Sequence, residues 1–161
     1  MQIAIMGTAP SSRFLAPFND TAWDIWACSP CYDANKKTFC ELPRINRFFE
    51  LHRLDGEELR DKLNEQELAE YCAWLKQIAK DGCTVVTQKA DDIEGGIAYP
   101  LTEVTAQFGR YITNTISYMI AAAILEGATK IGIYGVDMAA SEEYGSQRPS
   151  CEFWIGLATG L

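Results

Sequence analysis

The chain has 161 residues, a formal net charge of −8, and a composition that is 48% hydrophobic and 22% charged. That length fits one domain with a core large enough to stand without staples, and the composition is that of an ordinary globular protein. The acidic balance counts against sequence-independent nucleic-acid binding, which works through basic surface, although a local positive pocket for a small anion remains compatible with it.

In chain order, Gln2–Met6 reads as a short apolar strand, with no basic stretch and long apolar run ahead of it to suggest a signal peptide. A turn of small residues follows, Gly7-Thr8-Ala9-Pro10-Ser11-Ser12, in which Ser11 or Ser12 is placed to cap a short helix beginning near Arg13. Trp23–Cys28 is a second strand, bounded by Asn19-Asp20 and Ser29-Pro30, and residues 47–51 make a third. Residues 55–80 are rich in Glu, Leu, Lys and Ala. Leu68, Tyr71, Cys72 and Leu75 recur there at helical spacing, Asn64 with Glu67 forms a start signal, and Asp81-Gly82 forms a stop. The β-branched residues 83–88 predict a fourth strand, and residues 89–100 a loop containing Gly95-Gly96. Leu101–Phe108 predicts a short helix, and residues 113–126 a longer apolar one closed by Gly127. Lys130–Tyr134 is a buried strand ending at Gly135-Val136-Asp137. A loop over 138–148 leads to a final helix over 150–161. The most apolar run, residues 116–125, falls well short of the roughly 18 residues of a membrane span. Strands alternating with helices predict a single α/β domain with a mainly parallel, twisted sheet covered by helices on both faces.

The six cysteines are scattered. Without a secretion signal they read as reduced thiols, and a cytoplasmic location is expected. Cys28 and Cys31 form a Cys-x-x-Cys pair, but Pro30 favours a loop. No second pair exists and His52 is the only histidine, so neither a redox centre nor a structural metal site is the reading.

Ligands of open parallel sheets bind beyond the carboxyl ends of the strands, which here brings forward residues 7–12, 28–32 and 135–148. Gly7 permits a sharp turn and a close ligand approach, and Ser11 and Ser12 offer hydroxyls where an anion could sit. The pattern is neither a dinucleotide fingerprint nor a phosphate-binding loop, since no Gly-Lys-Ser/Thr follows, and a tight turn with a helix cap explains it as well. Thr113-Asn114-Thr115 opens the apolar helix, either as a cap or as a second anion or sugar contact. Asp137 sits at a strand tip, where a carboxylate is costly unless solvated, paired or bound, and so reads as a cap or as an orienting or catalytic group. Arg148 could fork onto a phosphate or pair with Glu152 one turn on. Tyr144 could donate to a leaving phosphate oxygen or simply pack. His52 follows the apolar segment Phe48-Phe49-Glu50-Leu51 at a strand end, where its near-neutral titration would suit a general base.

These motifs together carry a resemblance. Residues 112–121, continuing through 126–138, are similar to a module of bacterial sialyltransferases of the campylobacter type, and resemble the flagellin-modifying and pterin-pyrophosphokinase-like group. In that module a polar helix start precedes a strand ending in Gly-x-Asp. Residues 6–11 resemble its Gly-x-Gly-Pro-Ser loop, with Ala9 for the second glycine. The chain also looks like phage and prophage proteins that carry Phe-Glu-x-His, Gly-x-Asp-Met-Ala, Glu-Tyr and Gln-Arg-Pro. These match residues 49–52, 135–139, 143–144 and 147–149.

The resemblance spans most of the chain apart from residues 55–80, which it marks as a helical insertion. It implies a Rossmann-like three-layer domain that binds a nucleotide or nucleotide-sugar. Gly7, Thr8, Pro10, Ser11, Ser12, Ser29 and Gly135 would line the nucleotide, and Thr113, Asn114 and Thr115 would approach phosphate or sugar. Two positions depart from the sialyltransferase pattern: no histidine follows Asp137, and Ser29 replaces an asparagine. Both count against sialyl transfer.

The leading expectation is a glycosyltransferase-like enzyme of phage or bacterial origin, acting in the host cytoplasm if of phage origin. His52 or Asp137 would be its base, and Tyr144 and Arg148 would stabilise the leaving phosphate. The alternatives are a non-catalytic, sponge-like nucleotide-binding protein and a Mg²⁺-dependent pyrophosphokinase-like transferase using Asp137 with Glu142 or Glu143. The expected partner is a small nucleotide ligand, with neither membrane nor nucleic acid, and self-assembly is left open.

Overall fold

A computed structural model describes residues 1–28, 42–54, 56–139 and 143–161. The chain divides into two compact units, residues 1–28 with 100–161 and residues 29–99.

In the first unit, β1 (Gln2–Met6) lies between β2 (Trp23–Cys28) and β6 (Lys130–Tyr134), parallel to both. β1 has four consecutive buried residues after Gln2, and β2 is buried at five of six positions. That continuous apolar run is what a parallel strand covered on both faces requires. The alternating burial of a one-sided sheet is absent from both. Helix α1 (Pro10–Arg13) is a single turn, α4 (Leu101–Phe108) and α6 (Arg148–Gly160) flank α5 (Thr115–Leu125), and α5 packs on β1 and β2. Seven of the eleven α5 residues are buried, as expected of a helix that is apolar on every side. Its cap is Asn114, whose side chain accepts from the Ser117 N–H at 2.9 Å. A buried hydroxyl junction ties α5 to α6. The Ser150 hydroxyl lies 3.0 Å from both the Tyr111 carbonyl and the Ser117 hydroxyl, and the Trp154 indole N–H donates to the same carbonyl at 2.8 Å.

In the second unit, β3 (Arg47–Phe49), β4 (Thr84–Thr87) and β5 (Ile97–Ala98) run parallel in that order. Helix α2 (Glu57–Arg60) precedes α3 (Glu65–Lys80), which is the crossover from β3 to β4 and packs on β4. Asn64 and Glu67 close a reciprocal capping box at 2.9 Å each way, as their spacing predicts. The expected helical segment 55–80 is therefore α2 and α3. Trp74 stacks on Tyr71 with ring centroids 5.9 Å apart, and meets Phe48 edge-on at 5.1 Å.

The protein is thus α/β and Rossmann-like, with every strand parallel to its partners. Four local expectations are corrected. Lys130–Tyr134 is a strand but not a buried one: Lys130 is exposed and the other four residues are only part-buried, because β6 is an edge strand paired with β1. Helix α1 begins at Pro10 with Ala9 as its cap residue, so neither Ser11 nor Ser12 caps it; the fixed φ of Pro10 suits a first helical position. Residues 89–100 are not a bare loop, since they hold a 3₁₀ turn at Ala90–Asp92 and the two-residue strand β5, too short to leave a periodic signal. The final helix starts two residues early, at Arg148, after a π-helical turn at Glu143–Gln147. No helix among the described residues is long and apolar enough to cross a membrane.

Cys28, Cys72, Cys83 and Cys151 are thiols outside any disulfide. Burial, with help from Glu152, pushes the Cys151 thiol up to about 11. The folded state therefore favours the neutral thiol. That preference costs nothing below the ordinary thiol range and weakens the fold as pH climbs toward 11. Iodoacetamide at pH 8 is expected to leave Cys151 unlabelled in the native protein and to label it in denaturant; rapid native labelling, read by peptide mass spectrometry, would contradict this burial.

Candidate functional site

The rim of the first unit is built from backbone. β1 and β6 end in register at Met6 and Tyr134, so the chain leaves both strands side by side. The ladder continues past them: the Gly7 N–H donates to the Tyr134 carbonyl at 2.8 Å, and the Ala9 N–H to the Gly135 carbonyl at 2.9 Å. The Ser12 hydroxyl accepts from the Gly135 N–H at 2.8 Å, and the Ser11 hydroxyl donates to Asp137 at 2.5 Å.

The glycines are explained by this closure. A Cβ on Gly7 would lie 2.2 Å from the Gly135 carbonyl oxygen, and one on Gly135 would lie 2.8 Å from the Ala9 carbonyl oxygen. Gly135 also has φ +66°, and Met138 carries a positive φ of 45° one residue past Asp137, a backbone conformation that costs a non-glycine residue about 1 kcal/mol or more. The close approach that Gly7 permits is to its own neighbouring loop. Pro10 supplies the first residue of α1, and Thr8 is exposed beside it.

The polar start of α5 is similarly engaged. The Thr113 hydroxyl donates to the Ser146 carbonyl at 2.9 Å, and the Asn114 amide donates to the Gln147 carbonyl at 2.9 Å. Thr113 and Asn114 thus join two helix starts, and Thr115 is the first residue of α5. Arg148 pairs with Glu152 at 2.7 Å and lies over the exposed Tyr144 ring at 5.0 Å. The bond to Glu152, and then its charge, hold the guanidinium in its charged form, with Tyr144 adding to them. Ser29 and Glu142 lie outside the described residues. Among the described residues no group of three or more His, Cys, Asp and Glu could hold a metal ion.

The rim of the second unit is of a different kind. The ladder of β3 runs one residue past Phe49, where the Glu50 N–H donates to the Val86 carbonyl at 2.9 Å. This fixes the Glu50 side chain on the buried face, with no exposed area. Its Oε1 accepts from the His52 backbone N–H at 2.9 Å and lies 2.7 Å from His52 Nδ1, and its Oε2 accepts from the Tyr71 hydroxyl. An ionised carboxylate can only accept, so in the neutral ring this contact suits a proton on Nδ1 and the lone pair on Nε2, and in the protonated ring it is an ion pair. The His52 side chain is 16% exposed. The Gln88 amide donates to the Leu51 carbonyl at 2.7 Å, holding the segment between Glu50 and His52. The field of Glu50 also reaches α3. Burial pushes the Cys72 thiol up, Lys76 opposes this and Glu50 adds to it, so Cys72 is a poor nucleophile beside the pair.

Sequence reasoning places His52 at this strand end but misses Glu50 and Tyr71. Their signals are present: Glu50 and His52 are two apart in extended chain, hence on one side, and Tyr71 falls on the apolar stripe of its helix.

Comparison with family models, with curated proteins and with solved structures returned no match. The class defined by the fold is α/β, Rossmann-like, and the chemistry must be argued from the residues themselves.

Gly7→Ala is expected to lower stability by about 3 kcal/mol or more, because the added carbon meets backbone that cannot rotate away. Urea unfolding measures it, and a loss under about 1 kcal/mol would contradict the tight closure of the two loops.

Proposed function

We propose that the protein is a glycosyltransferase-like enzyme that uses a nucleotide-sugar donor, with His52 as the general base that activates the acceptor. The observation that carries this reading is the Glu50–His52 pair at the carboxyl end of β3, in which a fully buried carboxylate meets Nδ1 at 2.7 Å. Glu50 fixes both the ring orientation and the tautomer, so that Nε2 can take a proton, and it stabilises the imidazolium that results. In the transfer step the acceptor hydroxyl gives its proton to Nε2. Its oxygen bonds to the donor sugar carbon, and the bond from that carbon to the nucleotide phosphate oxygen breaks, with the electron pair leaving on the phosphate. The nucleotide-sugar class itself comes from the resemblance of residues 6–11 and 112–138. Asp137 is bound to Ser11 and is the weaker candidate for the base.

A second reading, a protein that holds a nucleotide without turning it over, is supported by the engagement of Arg148 with Glu152. That pairing leaves the proposed leaving-group stabiliser already occupied. Exposed pairs of this kind are weak enough for a phosphate to displace, so the two readings differ in outcome rather than in contacts.

Calorimetric titration with nucleotides and nucleotide-sugars, followed by assay of the binders for turnover, tests both. His52→Gln is expected to lower kcat by about 10²- to 10⁴-fold while donor affinity stays within about threefold. Intact ligand recovered from the denatured wild-type complex, with no product, would favour the second reading. Absence of heat with every compound at millimolar concentration, or full activity in His52→Gln, would defeat the first.

A further inference from the structure

A pocket of about 430 Å³ opens between α4 and the start of α5, within the first unit and separate from every residue assigned above. Its size falls in the range that holds small organic ligands. Leu101, Thr102 and Thr105 line one side from α4, Arg110 and Ile112 form the lip, and Tyr118 in the first turns of α5 closes the other side. The pocket thus combines two aliphatic surfaces, an aromatic ring, three hydroxyls and one guanidinium.

The lip is held in place rather than loose. Gly109 turns the chain with φ +89°, where a Cβ would meet nothing within 4 Å, so the glycine serves the backbone conformation and not the space. The Ile112 N–H closes back on the Arg110 carbonyl at 2.8 Å, and the Tyr111 carbonyl between them is gripped by Ser150 and by Trp154, at 3.0 and 2.8 Å. Arg110 is therefore presented by a segment anchored to two buried donors. Its guanidinium is exposed, and among the described residues it makes no ion pair, whereas Arg148 of the same unit is paired with Glu152. In a chain of net charge −8, an uncommitted arginine at the mouth of a preformed pocket is a local site for negative charge.

We propose that this pocket binds a small organic anion. Its carboxylate or phosphate oxygens would lie on the Arg110 fork, with the Thr102 and Tyr118 hydroxyls nearby, and its flat apolar body would rest on Leu101 and Ile112. The proposal does not depend on the His52 reading. It is tested by titrating isotopically labelled protein with uridine monophosphate, benzoate and inorganic phosphate while following backbone amide resonances.

Either organic probe is expected to move the amides of Thr102, Thr105, Ile112 and Tyr118 with a midpoint of about 1 mM or lower, and inorganic phosphate to do so about tenfold more weakly. A response to the nucleotide alone assigns a phosphate ester, and a response to benzoate alone assigns a carboxylate. Arg110→Gln, an exposed change that should leave the fold intact, is expected to weaken binding about tenfold or more. The proposal is overturned if neither organic probe moves these amides at about 10 mM. It is also overturned if the shifts fall only around Gly7, Gly135 or His52, or if Arg110→Gln binds as the wild type does.

Discussion

A carboxylate taken out of water loses hydration worth several kcal/mol, and it persists in a folded protein only when donors meet its oxygens. Glu50 is in that position. It has no exposed area, and it is held there because its own N–H extends the β3–β4 ladder to Val86. Three donors answer it: the peptide N–H and the ring of His52, and the hydroxyl of Tyr71. The consequence runs outward from the core. Tyr71 is fixed by its stacking on Trp74, Trp74 meets Phe48 edge-on, and the orientation of the histidine follows from a carboxylate that has nowhere else to turn.

The two rims solve the same geometric problem by different chemistry. Where parallel strands end, peptide groups lose their ladder partners and must find others. At the ends of β1 and β6 the two exiting loops satisfy each other, N–H to carbonyl, across glycines at 7 and 135 that leave no room for a Cβ. At the end of β3 a side chain does the work, and the same contacts that satisfy it also fix the protonation site of an imidazole. The candidate for proton transfer therefore lies at the second rim, while the first forms a tight turn with Asp137 bound to Ser11 at its tip.

The elements whose signals are local were legible in the sequence. The capping box of Asn64 with Glu67, the apolar body of α5 and the buried runs of β1 and β2 each follow from neighbours in the chain, whereas the exposure of β6 does not, because it depends on which strand lies at the sheet edge. Strand β5 was not legible, because two residues carry no period and its pairing comes wholly from β4. The candidate site residues divide in the same way. His52 stands out as the single histidine at a strand end, and Glu50 could have been paired with it by spacing. Tyr71 lies 21 positions from Glu50 and meets it only once α3 crosses over. Gly7, Thr113 and Asn114 carry small or polar signatures that suit a ligand and a loop junction equally well, and no local pattern reveals that their partners are Tyr134, Ser146 and Gln147.

The central claim is that the buried carboxylate of Glu50 dictates which ring nitrogen of His52 holds the proton. The ¹⁵N chemical shifts of that one imidazole, measured above its titration in the wild type and in Glu50→Gln, address it directly. The account predicts the Nδ1–H form in the wild type, with the lone pair on Nε2, and a mixture or reversal once the carboxylate is gone. A wild-type ring protonated at Nε2, or a tautomer indifferent to Glu50→Gln, would contradict it.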